Sequence, residues 1–154
     1  MLSLGSPGAG QSPATLRSGQ QASVDKIVYA WMQCQDCMAG ERERVVSLGG
    51  TAVPRLRAIL KEGPPPSHMA AIQKSLQYLV SHADSGRVPS RRALAAQLDA
   101  FQSMYRVRAA SALAGIGGRA ALSALCAGVA SSAPGSVVRA AARAGVAKLG
   151  GSCT

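Results

Sequence analysis

Aromatic residues are nearly missing from this chain. Only Tyr29, Trp31, Tyr78, Phe101 and Tyr105 occur, 3% of the sequence. Sheet sandwiches and barrels draw on aromatic and β-branched side chains, so this shortage disfavours both. It also weakens any single-stranded nucleic-acid surface built on base stacking. Acid is scarce as well: Asp and Glu total 7 against 17 Lys and Arg, a net charge of +10, and no acid follows Asp99. Four cysteines (Cys34, Cys37, Cys126, Cys153) are too few to staple a disulfide-scaffold domain of 154 residues. The longest charge-free stretch beyond the N-terminal segment, residues 120–138, is broken by Ser131-Ser132-Ala133-Pro134-Gly135. No transmembrane helix is therefore expected.

What is abundant is small and apolar. The chain carries 29 Ala, and apolar residues make up 47% of it, which argues against a wholly disordered polypeptide. The length suits one domain with a single core. Residues 1–23 hold Gly, Ser, Pro and Gln with one charge, Arg17, and no apolar period, so a flexible tail is expected there. No basic start leads into an apolar run, so no secretory signal peptide is evident. A cytoplasmic setting is expected on that ground, or an exported one if a leader precedes this segment.

From 24 to 154 the apolar spacing is three and four, which predicts helices. Ser23 caps the first, with Val24, Ile27, Val28, Trp31 and Met38 on one face and Gly40 as its stop. A short charged helix follows over 41–48, then one over 51–61 with Pro54 in its first turn. Gly63-Pro64-Pro65-Pro66 ends it. Ser67 opens a helix striped by Met69, Ile72, Leu76, Leu79 and Val80, closed at Asp84-Ser85-Gly86. Two helices are expected over 90–103 and 105–116, and further ones over 119–129 and 137–149. The breaks recur: Gly49 and Gly117 lie 68 positions apart, and Gly117 and Gly150 lie 33 apart. A period in the thirties built from helix pairs is the mark of an α-solenoid.

Three segments carry a resemblance. They are Val45-Val46-Ser47-Leu48-Gly49-Gly50-Thr51-Ala52-Val53-Pro54-Arg55-Leu56, Val107-Arg108-Ala109-Ala110-Ser111-Ala112-Leu113-Ala114-Gly115-Ile116-Gly117-Gly118, and Val138-Arg139-Ala140-Ala141. Over about residues 41–154 the chain resembles HEAT-type repeat proteins, in particular the short bacterial variety. The resemblance implies an all-α solenoid of stacked antiparallel helix pairs, about three and a half HEAT-like repeats with the last truncated. Thr51 and Arg119 stand where that family often places an acid. The middle repeat, over 67–103, rests on spacing alone. A truncated last repeat implies either a cap or a face covered by a partner, a homodimer through the C-terminal repeat included.

Such surfaces dock macromolecules, so a non-enzymatic interaction module is expected, with a protein partner first and nucleic-acid phosphate backbone as the alternative. The basic residues offered for contact are Arg91, Arg92, Arg106, Arg108, Arg119, Arg139 and Arg143. Arg108 and Arg139 occupy equivalent repeat positions, where a ladder of hydrogen bonds to turn carbonyls competes with a phosphate clamp; the ladder is favoured. For a base-excision type of activity only Asp99, Phe101 and Tyr105 cluster, a thin match. Cys34-Gln35-Asp36-Cys37 is expected late in a helix beside acids, where a reactive thiolate is disfavoured. A zinc site would need two further ligands, and His68, His82, Cys126 and Cys153 show no paired spacing. A local disulfide between Cys34 and Cys37, or two ordinary helix cysteines, outweighs both. No metal, no cofactor and no catalytic residue is assigned from the sequence, and an enzyme is not expected.

Overall fold

A computed structural model describes residues 13–34, 36, 37, 39–83 and 88–153. Residues 1–12, Gln35, Met38, 84–87 and Thr154 lie outside those described, the stop expected at Asp84-Ser85-Gly86 among them. Among the described residues there are seven α-helices and no strand: α1 Pro13–Gln33, α2 Ala39–Ser47, α3 Val53–Glu62, α4 Pro66–Ser81, α5 Arg91–Ile116, α6 Gly118–Ser131 and α7 Val137–Lys148. A 3₁₀ turn, Gly49–Thr51, joins α2 to α3. None of the described helices is long and apolar enough to cross a membrane.

The stops follow backbone chemistry. Gly63 and Gly117 follow α3 and α5 with φ of 84° and 71°, which a Cβ would disfavour. Ser90 and Ser136 cap α5 and α7, their hydroxyls accepting from the N–H of Ala93 and Arg139 at 3.1 and 3.2 Å.

Three boundaries differ from expectation. The helix expected from Ser23 begins at Pro13, inside the segment read as a tail. It ends at Gln33, so Cys34 and Cys37 lie between α1 and α2, and Gly40 sits inside α2 rather than stopping α1. The pair expected over 90–103 and 105–116 is one continuous helix of 26 residues. No glycine or proline lies between Arg91 and Ala114, so nothing in that run breaks the hydrogen-bond ladder.

The core is built from α1 (Val24, Val28, Trp31, Met32), α2 (Val45), α3 (Leu56, Ile59, Leu60), α5 (Tyr105, Leu113), α6 (Leu125) and α7 (Val138, Val146). Alanines fill the crossings, and three glycines bring helices closer still. A Cβ on Gly128 of α6 would collide with Leu60 of α3, reaching its Cγ at 2.7 Å. One on Gly145 of α7 would meet Leu125 of α6 at 2.9 Å. One on Gly115 of α5 would meet Val46 of α2 at 2.7 Å. The small-residue composition is thus spent at helix contacts, where close approach maximises dispersion.

Helix α2 packs on α5, α3 on both α5 and α6, and α7 on both α5 and α6. The segment expected as a middle repeat is not a layer between them. The substantial neighbour of α4 is α5 alone, and the two form a hairpin.

Candidate docking hairpin and the arginine network

Helix α5 has two halves with different surroundings. Its six buried residues all fall between Tyr105 and Ala114, and α4 buries none. Residues 66–83 and 88–104 therefore form a hairpin that joins the core only at its base, through Phe101 and Met104. Its stripes are of the kind that elsewhere in the chain is covered: Met69, Ile72, Leu76 and Val80 on α4, Leu94 and Leu98 on α5. All six stay partly exposed. Tyr78 and Leu79 are 61% and 59% exposed. Between the helices runs a groove of about 390 Å³, lined by Gln73, Leu76, Gln77, Val80, Ser81, Leu94 and Leu98. The two stripes meet across this groove and cover each other only in part.

The base of the hairpin is an aromatic knot. His68 of α4 lies edge-on to Tyr29 of α1 at 5.0 Å between centroids. Its Nδ1 shares a hydrogen bond with the Tyr105 hydroxyl at 2.9 Å. Phe101 packs on Tyr105 at 5.0 Å. Burial lowers the His68 pKa below its usual 6.5 and pushes the Tyr105 phenol up to about 12. The ring of Tyr105 is fully buried, so it offers no stacking face. Asp99 is exposed, and the suggested Asp99–Phe101–Tyr105 constellation does not form a site.

The arginines separate into two sets. Arg108 donates from one terminal nitrogen to the carbonyls of Trp31, Met32 and Cys34, at 2.7, 3.0 and 2.8 Å, closing the C-terminus of α1. Arg106 donates to the Leu60 carbonyl near the end of α3 at 2.7 Å and to the buried Ser132 hydroxyl at 3.1 Å. Arg139 reaches the Ser132 carbonyl after α6 at 3.5 Å, with its Nε buried and unpaired. Unpaired carbonyls and the negative end of the helix dipole gather at such termini, so a guanidinium there is structural. The ladder reading expects Arg108 to bond the turn carbonyls of the next repeat; the carbonyls it bonds instead lie at and just after the end of α1. Arg91, Arg92, Arg119 and Arg143 are exposed. Arg92 lies in the first turn of α5 and Arg119 just after its other end, with about 36 Å of helical rise between Arg92 and Ile116, so the two do not converge on one ligand.

Sequence reasoning did not find two further ties. Arg55 of α3 forks onto Asp25 of α1 at 2.7 and 2.6 Å, and Arg42 of α2 binds the hydroxyl and carbonyl of Ser111 on α5, both at 3.0 Å. For Asp25, burial raises the pKa, but the hydrogen bonds from Arg55 and Gln21 and the Arg55 charge outweigh it and the net shift is downward. Neither pair has a sequence signal, since 30 and 69 residues separate the partners.

The cysteines are bonded as Cys34–Cys37 and Cys126–Cys153, with Cα atoms 5.5 and 5.3 Å apart. The first is the local bridge weighed above. The second ties Cys153, beyond α7, to α6 and was not expected from the sequence. Paired thiols are not available as thiolate ligands. Among the described residues no group of three His, Cys, Asp or Glu side chains could hold a metal ion. No family model matches the chain, and neither a curated protein nor a solved structure matches it.

Proposed function

We propose that this chain is a non-enzymatic interaction module, a short HEAT-like stack that docks a protein through the α4–α5 hairpin. The stack reading is supported by which helices touch. First helices would meet as α2 on α5 and α5 on α7, and second helices as α3 on α6. The hairpin would then be a departure from the repeat, inserted between its first two pairs. The docking reading rests on one observation: α4 and the outer half of α5 carry apolar stripes that stay partly exposed where those of the other helices are buried. A two-helix unit gains little by staying exposed unless another surface covers it. The basic residues contribute less to this reading, because Arg106, Arg108 and Arg139 are turned toward backbone carbonyls.

The test compares the wild-type chain with a Leu76→Lys/Leu98→Lys variant and with an Arg119→Ala/Arg143→Ala variant. Both leucines are partly buried, so the thermal midpoint of the first variant is measured alongside to show that it stays folded. A protein that co-purifies with wild type and is lost only with the leucine variant supports docking on the hairpin. Salt-sensitive retention of random duplex DNA, lost only with the arginine variant, overturns it in favour of phosphate binding.

A further inference from the structure

We infer that the occupant of the hairpin groove is an acidic amphipathic helix of a partner protein, an inference that rests on the docking reading above. Shape gives the first reason. The groove is concave and lies between two antiparallel helices, with Leu76, Val80, Leu94 and Leu98 as its apolar floor. A third helix laid along it completes a three-helix packing and buries i, i+3, i+4 and i+7 anchors. Helix α4 has 16 residues, so a matching segment of about four turns spans it.

Charge gives the second. Arg91 stands in the first turn of α5, three residues before Leu94 and so on its side of the helix, with Arg92 next in the chain; both are exposed. Asp99 is the one acid among the hairpin's described residues. Glutamates flanking an apolar stripe would meet these cations at the rim of the groove, where complementary charge selects partner and register. The same charges disfavour a second copy of this chain. Two hairpins brought together face Arg91 and Arg92 with almost no acid, on molecules of net charge +10 each. A bilayer surface is disfavoured by form: Gln73, Gln77 and Ser81 line the groove, whereas an interfacial helix presents a convex apolar face.

The experiment uses the full chain with both disulfides intact and three fluorescein-labelled peptides of about 16 residues, the length of α4. One has a leucine stripe flanked by glutamates, its twin has each glutamate replaced by lysine, and the third scrambles the acidic composition. By fluorescence anisotropy the acidic amphipathic peptide is expected to bind about tenfold or more tighter than either control. Arg91→Glu/Arg92→Glu reverses the preference between the twins, and Leu76→Lys/Leu98→Lys abolishes binding of the acidic peptide. Equal binding of the scrambled peptide, or of the lysine twin, overturns the inference. Sedimentation of the protein alone and with vesicles of phosphatidylcholine and phosphatidylglycerol separates the other occupants. A concentration-dependent dimer that disappears in the leucine variant reassigns the groove to a second copy while leaving the docking reading standing, whereas vesicle binding lost in that variant overturns both. A monomer that binds no peptide and no vesicle overturns both.

Discussion

Replacing Arg108 by alanine distinguishes a structural arginine from a ligand clamp. The side chain donates to three carbonyls at the end of α1. Its guanidinium carbon also lies 5.9 Å from the centre of the Trp31 ring. A terminal guanidinium nitrogen has two hydrogens, so two strong bonds form and the third acceptor shares. Hydrogen bonds to a charged group contribute about 1.5–3 kcal/mol each, and a cation at a helix C-terminus about 0.3–1. Because Arg108 is only partly buried, water re-enters and recovers some of this. Arg108→Ala is therefore expected to cost about 3 kcal/mol. For a chain of this size that is a fall of roughly 6–12 °C in the thermal midpoint. Arg143→Ala, at an exposed position on α7, is the control and stays within about 0.5 kcal/mol of wild type. Lysine at 108 recovers only part, since one ammonium replaces a planar fork. Urea unfolding of the three variants measures all of this. An Arg108→Ala chain as stable as the Arg143→Ala control refutes the structural role, and a loss of partner affinity without loss of stability points to a clamp instead.

Other perturbations have equally definite outcomes. Cys126→Ser/Cys153→Ser opens a bridge with a sequence separation of 27, which by loop-closure entropy removes about 3.5 kcal/mol, read as a lower midpoint in thermal unfolding. Gly128→Ala pushes a methyl into Leu60, itself buried, and is expected to destabilise by about 1–2 kcal/mol after the gain in helix propensity. At Gly19, exposed on α1 with open space around it, the same change stabilises by about 0.5–1 kcal/mol, and denaturant midpoints compare the two. The folded-state pKa of His68 lies below its unfolded 6.5, so the unfolded chain takes up the proton first. Its contribution is complete above pH 6.5 and declines as pH falls below that, so wild type loses more stability between neutral and mildly acid pH than His68→Gln does.

The all-helical class was legible because spacing of three and four recurs along the chain and Gly63, Gly117, Gly135 and Gly150 stand at the turns, each with positive φ. What spacing does not encode is whether a stripe is covered. Met69, Ile72 and Leu76 have the same period as Val53, Leu56 and Leu60, yet only the second set is buried. Two helices were expected on either side of residue 104, but no glycine or proline interrupts the run, and a single helix forms. A recurrence of 68 positions looked like two repeats; direct packing of α2 on α5 and of α3 on α6 shows that the intervening segment does not separate those helices. Charge was equally ambiguous. Arg108 and Arg143 read alike as sequence, and only tertiary structure brings the first against the end of α1. Cys34 and Cys37 were adjacent enough to suggest their bond, whereas Cys126 and Cys153 meet only because α7 carries the chain back to α6.

Hydrogen exchange followed by mass spectrometry, with and without the acidic amphipathic peptide, reports on the docking hairpin most directly. Without peptide, amides of residues 66–81 and 91–104 are expected to exchange well ahead of those in α3, α6 and the inner half of α5. With peptide, new protection confined to those two segments is the expected result. Protection appearing instead along α6 and α7, or slow exchange across α4 in the unliganded protein, contradicts a hairpin whose apolar face awaits a partner.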